Sequence, residues 1–412
     1  MITARRVFKA VPTLMALQGL QYLVPLITIP FLIRVLGLER WGQVAQLMAL
    51  SQLALILLDY GLHLSATQAA ARQPNNPGAL AALFGAVTMA KLLIGFIWFP
   101  VILAVALWLT PLAPTDPLLL WALAATWLQA HDPFWYFLGT EQTRQIMGLT
   151  IALRLAAVGV MIIGISGPDD AWIYFAAQGA AWLGVLGAGW WMVKKQTRVD
   201  KKHLKGGIAL IRDGRHVFYL YLGSSSFDYL VPLALGAVTD PVSVGLFVGA
   251  EKLARAAASL LSSFRSALFP QMSRLMAKSA ENAAALFRWA FFRVGGLAAV
   301  GSIALFFSAD WIAPLLLGEA AAAAGPILKI LSPLPMLLTI NSLIGVQWLL
   351  PAGRTAALRN IYLSAGALRL ILCALLAHDF QAPGAALATI AGEVCVLIAC
   401  LLYLRQHPVR GA

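Results

Sequence analysis

Thirteen ionisable side chains lie inside stretches that are otherwise apolar: Asp59, Lys91, Asp132, Arg154, Asp228, Glu251, Lys252, Arg255, Arg265, Arg293, Lys329, Arg369 and Glu393. An Arg, Lys or Asp at the centre of a spanning helix costs about 2.5–3.5 kcal/mol, so each is expected to face a partner or water instead of lipid. Lys91, Arg154, Lys252, Arg255, Arg265 and Arg293 form the candidate cationic binding set. They outnumber the candidate acids Asp59, Asp228, Glu251 and Glu393, so a cavity they share carries positive potential and suits an anion. Two roles stay open for the acids. They are coupling groups that bind and release an ion from a partly desolvated position, or fixed counter-ions of the arginines.

The eighth apolar segment is the densest in charge. At 100° per residue, Glu251, Arg255, Ser262, Arg265 and Ser266 fall within an arc of about 100°, a polar stripe several turns long. An ion pair from Glu251 to Arg255 at i, i+4 accounts for the first two; a cavity-lining stripe accounts for all five and is the expectation. Lys329 and Arg369 are expected to snorkel towards an interface, and Asp132, beside Pro133, to serve structure.

Nothing in the chain spells an enzyme. There is no phosphate-binding loop, no His-Glu-x-x-His pair and no GxSxG elbow. His63, His131, His203, His216, His378 and His407 are scattered without metal-ligand spacing, and Cys373, Cys395 and Cys400 match no metal or redox motif. Neither a metal nor a cofactor is expected.

The elements that must position these charges are long apolar segments. Six are predicted near Val11 to Ile33, Trp41 to Leu64, Ala79 to Leu109, Leu118 to Gly139, Ile146 to Ile165 and Ala171 to Val193. Six more lie near Val217 to Leu235, Val242 to Met272, Ala283 to Phe307, Pro326 to Leu350, Ala356 to Ala377 and Ala382 to Leu404. Each is long enough to cross a hydrocarbon core of about 30 Å. The termini and even-numbered connections carry twenty of the 30 Lys and Arg residues, among them Arg5, Arg6, Lys9, Arg72, Arg144, the cluster Lys194 to Arg215, Arg274, Lys278, Arg354, Arg359 and Arg405, whereas the odd-numbered ones hold only Arg34 and Arg40. By the positive-inside rule both termini are cytoplasmic, and the unbroken alternation supports twelve spans.

Composition points the same way: 60% of residues are hydrophobic, 11% are charged and the mean hydropathy is +0.80, which excludes a conventional soluble domain. The net charge of +13 is accounted for by loops facing anionic headgroups, so nucleic acid is set aside as a partner. The basic-then-apolar start reads as a retained helix, because its apolar run is too long for a signal peptide and lacks a cleavage site.

The longest polar connection, 194–215, divides the chain into an N-terminal bundle over 1–193 and a C-terminal bundle over 216–412, each of six helices. The predicted fold is thus an all-α polytopic membrane protein, two six-helix bundles around a central cavity. Tyr22-Leu23-Val24-Pro25-Leu26 recurs as Tyr229-Leu230-Val231-Pro232-Leu233 in the opening helix of each half, consistent with an internal repeat. Pro25 and Pro232 each remove a backbone hydrogen bond there, and both are hinge candidates, with a static packed kink as the alternative.

The chain resembles the Wzx-type lipid-linked oligosaccharide flippases, within the MOP superfamily that also contains the MATE exporters. The likeness rests on the run Pro25 to Gly37, on Asp59-Tyr60-Gly61-Leu62 with Ser65-Ala66-Thr67, on Pro133-Phe134-Trp135-Tyr136-Phe137-Leu138-Gly139-Thr140-Glu141, on Ala250-Glu251-Lys252-Leu253, on Leu268-Phe269-Pro270 and on Gly384-Ala385-Ala386 with Glu393. Gln68 departs from the family pattern, which more often has Arg. The resemblance implies an oligosaccharide on a polyprenyl pyrophosphate, carried from the cytoplasmic to the periplasmic leaflet of the bacterial inner membrane. Membrane lipids, H+ or Na+ and a polysaccharide polymerase are the implied partners. A MATE-like multidrug exporter is one alternative, but it calls for net negative buried charge; a polymerase or ligase is the other, but it calls for a large periplasmic loop.

Overall fold

Buried in lipid, a chain must satisfy every backbone N–H and C=O within itself, and helices do so locally. The computed structural model describes residues 2–197, 206–212, 214, 218 and 226–407, and among them it is helical with no strand. Among the described residues seven helical runs are long and apolar enough to cross a membrane, making this a multi-pass membrane protein. Two of the runs contain a pair of helices joined end to end. Ile2–Asp59 turns at Gly37 (φ 74, ψ 167) and Thr355–Gln406 turns at Gln381 (φ 51, ψ −129), at the connections expected after Ile33 and after Ala377.

Other expected spans are broken within. Pro117–Ala130 and Phe134–Gly139 are separated at Asp132-Pro133, where Asp132 Oδ1 accepts from Phe134 N at 3.0 Å. The eighth segment is Pro241–Ser259 followed by Ser262–Lys278, interrupted at Leu260-Leu261. Ala280–Ala290 passes through a π-helical turn, Phe291–Gly295, into Gly296–Leu317, and Leu334–Ser342 runs into another, Leu343–Leu349. Of the seventh expected span, residues 217 and 219–225 lie outside the described residues, as do 198–205, 213 and 215 of the basic connection.

Three helices begin with the same device. Asn76, Asp116 and Asp240 each precede a proline and accept from a backbone N–H in the first turn, at 3.0, 2.8 and 2.8 Å. Proline at the first helical position gives up only a donor that has no partner there anyway.

Packing sorts the chain into two units, residues 1–24 with 46–229 and residues 25–45 with 230–412. The chain thus changes unit inside both copies of the repeated pentapeptide, after Val24 and after Tyr229. It remains helical through Pro25 and Pro232.

In the first unit an aromatic core gathers Phe84, Trp135, Tyr136, Phe137 and Trp182. Gly139 lets its helix approach Leu62–Arg72: a Cβ there would stand 2.7 Å from the Thr67 carbonyl oxygen. In the second unit the segment after Gly37 lies against the start of Pro241–Ser259. Trp41 Nε1 donates to Gly245 O at 3.0 Å, and a Cβ on Gly42 would overlap Pro241 O at 1.7 Å. Ile344, Trp348, Leu349 and Leu358 belong to a second core there.

Candidate functional site

The candidate charges form two clusters, one in each unit. In the first, helix Ile2–Asp59 ends because Tyr60 and Gly61 both adopt positive φ, 51° and 72°. Asp59 then serves two neighbours: one carboxylate oxygen accepts from His63 N at 3.2 Å and the other lies 3.3 Å from Lys91 Nζ. Lys91 is 5% exposed, and its ammonium also donates to Ala130 O at 2.6 Å. Arg154 lies over the Trp182 ring, 4.6 Å from its centroid, a cation–π contact that covers a half-buried guanidinium. The motif around Trp135 is mostly core. Tyr136 donates to Gln196 Oε1 at 3.1 Å, and Glu141 takes the positive φ of 59° that turns the chain.

In the second unit the focus is Glu251, 3% exposed on Pro241–Ser259. Arg255 Nε donates to its Oε1 at 3.0 Å, and Arg369 Nη2 lies 3.6 Å from the same oxygen. One carboxylate therefore serves two guanidiniums. Arg369 fits because residue 392 is glycine: a Cβ at Gly392 would stand 2.9 Å from Arg369 Cβ. Next to it, Glu393 accepts from Asn341 Nδ2 at 2.8 Å. Arg265 Nη1 donates to Thr339 Oγ1 at 3.3 Å, and Gln347, in the π-helical turn, donates to Arg265 O at 3.0 Å. Asn341 Oδ1 and Gln347 Oε1 are buried and meet no donor among the described residues, which leaves spare acceptor capacity beside these cations.

The geometry revises several expectations. Glu251 and Arg255 do form the i, i+4 pair, and Arg265 lies beyond the turn at Leu260-Leu261, where its guanidinium meets Thr339. Ser262 turns its hydroxyl to Ser259 O at 2.6 Å, and the side chain of Ser266 lies outside the described residues. Arg369 does not snorkel: it is 4% exposed against Glu251. Lys329 pairs with Asp310 across a helix connection. Lys252 is half-buried, Arg293 is exposed on its π-helical turn, Asp228 is exposed in the first turn of Phe227–Val238, and Glu393 is half-buried.

Sequence reasoning missed Thr339, Asn341 and Gln347, although polar residues inside Pro326 to Leu350 were a signal. No group of three or more His, Cys, Asp or Glu that could hold a metal occurs among the described residues, and Cys373 and Cys400 are buried.

Residues 7–276 match the model of the family described as polysaccharide biosynthesis protein. The chain belongs to this family. The polysaccharide biosynthesis match takes in Asp59, Lys91, Glu251, Arg255 and Arg265 and ends before Asn341, Arg369 and Glu393. A protein of Escherichia coli (strain K12) named for O-antigen transport is 26% identical over 403 residues, 96% of this chain and 95% of the relative.

Among solved structures, an inward-facing multidrug resistance MATE family transporter of the MOP superfamily superposes with a TM-score of 0.70 at 14% identity, over 93% of this chain and 96% of the other. The lipid II flippase MurJ, in an inward closed conformation, gives 0.53 at 14% identity, over 93% and 87%. This member of the polysaccharide biosynthesis family thus has a MATE-type fold.

Proposed function

We propose that the protein is a flippase, a transporter and not an enzyme, which moves polyprenyl-pyrophosphate-linked oligosaccharide units from the cytoplasmic to the periplasmic leaflet of the bacterial inner membrane. The observation that carries this reading furthest is the buried arginine cluster of the second unit, where Arg255 and Arg369 both meet the carboxylate of Glu251. A pyrophosphate is an anion, and guanidiniums hold its oxygens through parallel charge-assisted hydrogen bonds. Family membership and the name of the E. coli relative support the polysaccharide setting. The fold shared with MurJ supports the transport of a lipid-linked sugar.

The physics explains why such a substrate needs a protein. Each sugar hydroxyl taken into hydrocarbon without a partner costs roughly 2–7 kcal/mol, and an oligosaccharide has many. A hydrated path lined in the second unit by Lys252, Arg255, Arg265 and Arg293 keeps the headgroup wet while the polyprenyl tail stays in the bilayer. Alternating access, with bending at Pro25 and Pro232, then exposes the headgroup to one side at a time. The membrane potential favours export of an anion by about 2.3 kcal/mol per charge per 100 mV. Counterflow of H+ or Na+ through Asp59, Asp228, Glu251 or Glu393 is the second source of drive. Both termini are cytoplasmic in this reading, and a polysaccharide polymerase receives the product.

The test is reconstitution in vesicles with a fluorescent lipid-linked oligosaccharide, with potential and pH gradient varied separately. Arg255→Ala and Arg265→Ala are expected to slow transfer while insertion and folding persist, since Glu251 keeps Arg369 as a partner. Unchanged transfer in both variants overturns the proposed binding surface.

A further inference from the structure

Beside the Asp59–Lys91 pair the first unit encloses a small pocket of about 20 Å³, lined by Phe84, Val87, Thr88, Lys91, His131 and Trp190 among others. That is room for one water molecule, which is stable when it finds two or more polar partners. Two are present. Lys91 is the first: its ammonium has three hydrogens, of which one goes to Ala130 O and one to Asp59, so a third is left to donate.

His131 is the second. Its Nδ1 lies 2.8 Å from Trp127 O, and a carbonyl only accepts, so Nδ1 carries the hydrogen in the neutral ring. Nε2 is then a bare lone pair. It is buried and meets no protein donor among the described residues.

We infer that this pocket holds one ordered water that accepts from Lys91 and donates to His131 Nε2, and that His131 is a proton-binding group of the first unit. On protonation Nε2 becomes a donor. The water reorients to accept from both the imidazolium and the ammonium, and its hydrogens turn towards acceptors such as Thr88 Oγ1 on the pocket wall. The bound ligands are a water and a proton, and no bond other than N–H forms or breaks.

The electrostatic setting suits a change of one charge. Of the charged groups of this cluster, Lys91 on Pro77–Leu109 acts on His131 directly; Lys91 also acts on His63 of Leu62–Arg72 and on Asp132, next in sequence to His131, as does Asp59 at the end of Ile2–Asp59, and Arg154 on Thr143–Gly164 acts on Asp132. Two carboxylates balance the ammonium and the guanidinium, so the set is neutral while both imidazoles are neutral, and proton uptake at His131 leaves one unbalanced positive charge. That charge arises one water molecule from the Asp59–Lys91 pair. Relevance to transport rests on the flippase reading; the site itself does not.

The experiment is 15N NMR of the full-length protein in lipid nanodiscs, with histidine ring nitrogens labelled and His131 assigned by loss of its signals in His131→Gln. The neutral ring should show hydrogen on Nδ1 and a hydrogen-bonded Nε2. Two charges separated by one water interact strongly enough that Lys91→Gln should let His131 hold its proton to a pH higher by about 1 unit. Val87→Ile fills the pocket and alters no charge, so Nε2 should move to the shift of a lone pair without a partner, even if Lys91→Gln fails to fold. An Nε2–H tautomer in the wild type, or an Nε2 signal unmoved by Val87→Ile, overturns the inference. Neither result bears on whether lipid-linked sugar is transferred in vesicles, so this inference and the flippase reading fail separately.

Discussion

The two charged clusters solve the problem of burying charge in opposite ways. In the first unit Asp59 and Lys91 meet one to one, and the remaining need is met by a backbone carbonyl and a backbone N–H. In the second, Glu251 stands between Arg255 and Arg369, and the neighbouring polar groups are the Asn341 amide, which donates to Glu393, and the Thr339 hydroxyl, which accepts from Arg265. The first cluster is balanced and carries titratable imidazoles. The second is built on arginines, which stay charged at any working pH, so in the proposed reading the first suits a change of charge and the second the attraction of an anion.

Removing the shared carboxylate should break the comparison most severely. Glu251→Gln leaves two guanidiniums facing each other with the side chain between them only 5% exposed, a loss expected at about 3–5 kcal/mol. Thermal unfolding in detergent reads it as a large fall in Tm, and Glu251→Gln with Arg369→Gln should recover part of it. No recovery in the double variant would mean that the two charges are not coupled.

Lys91→Met should cost less, about 1–2 kcal/mol, because the Asp59 left behind is 30% exposed and water can reach it. If Lys91→Met proves the more damaging of the two, the first cluster and not the second is the strained one. Gly392→Ala sharpens the contrast further. Its new methyl group would press on the Arg369 stem at 2.9–3.2 Å, for an expected loss of about 1 kcal/mol. The same unfolding assay reads that loss. Smallest of all is Arg154→Gln, which gives up a partly exposed cation–π contact with Trp182, about 0.5–1 kcal/mol by the same melting measurement.

Much of this was legible in the sequence because lipid imposes length and polarity on each segment separately. The all-helical, membrane-spanning plan and the connections at Gly37 and Gln381 follow from local pattern. So do the Asp116-Pro117 and Asp240-Pro241 helix starts. What the pattern did not contain was partnership across the fold. Asp59 and Lys91 were both singled out, yet their pairing depends on two helices meeting, which no spacing records.

Arg369 was assigned to an interface from its place in the chain. Gly392, which makes the room that keeps it inside, lies on the other half of the Thr355–Gln406 run. The assignment of 25–45 to the second unit likewise turns on Trp41, Gly42 and Gly245 fitting together, a non-local match. The break at Leu260-Leu261 was hidden because leucine carries no helix-stop signal of its own, whereas the one at Tyr60-Gly61 had a signal in the glycine.

The most direct measurement compares initial transfer rates in proteoliposomes for one oligosaccharide on two carriers, a polyprenyl pyrophosphate and an uncharged polyprenyl ether. A cation-rich path predicts that the pyrophosphate substrate moves faster, and that Arg255→Ala narrows the difference. Equal rates for the two carriers in the unmodified protein would contradict it.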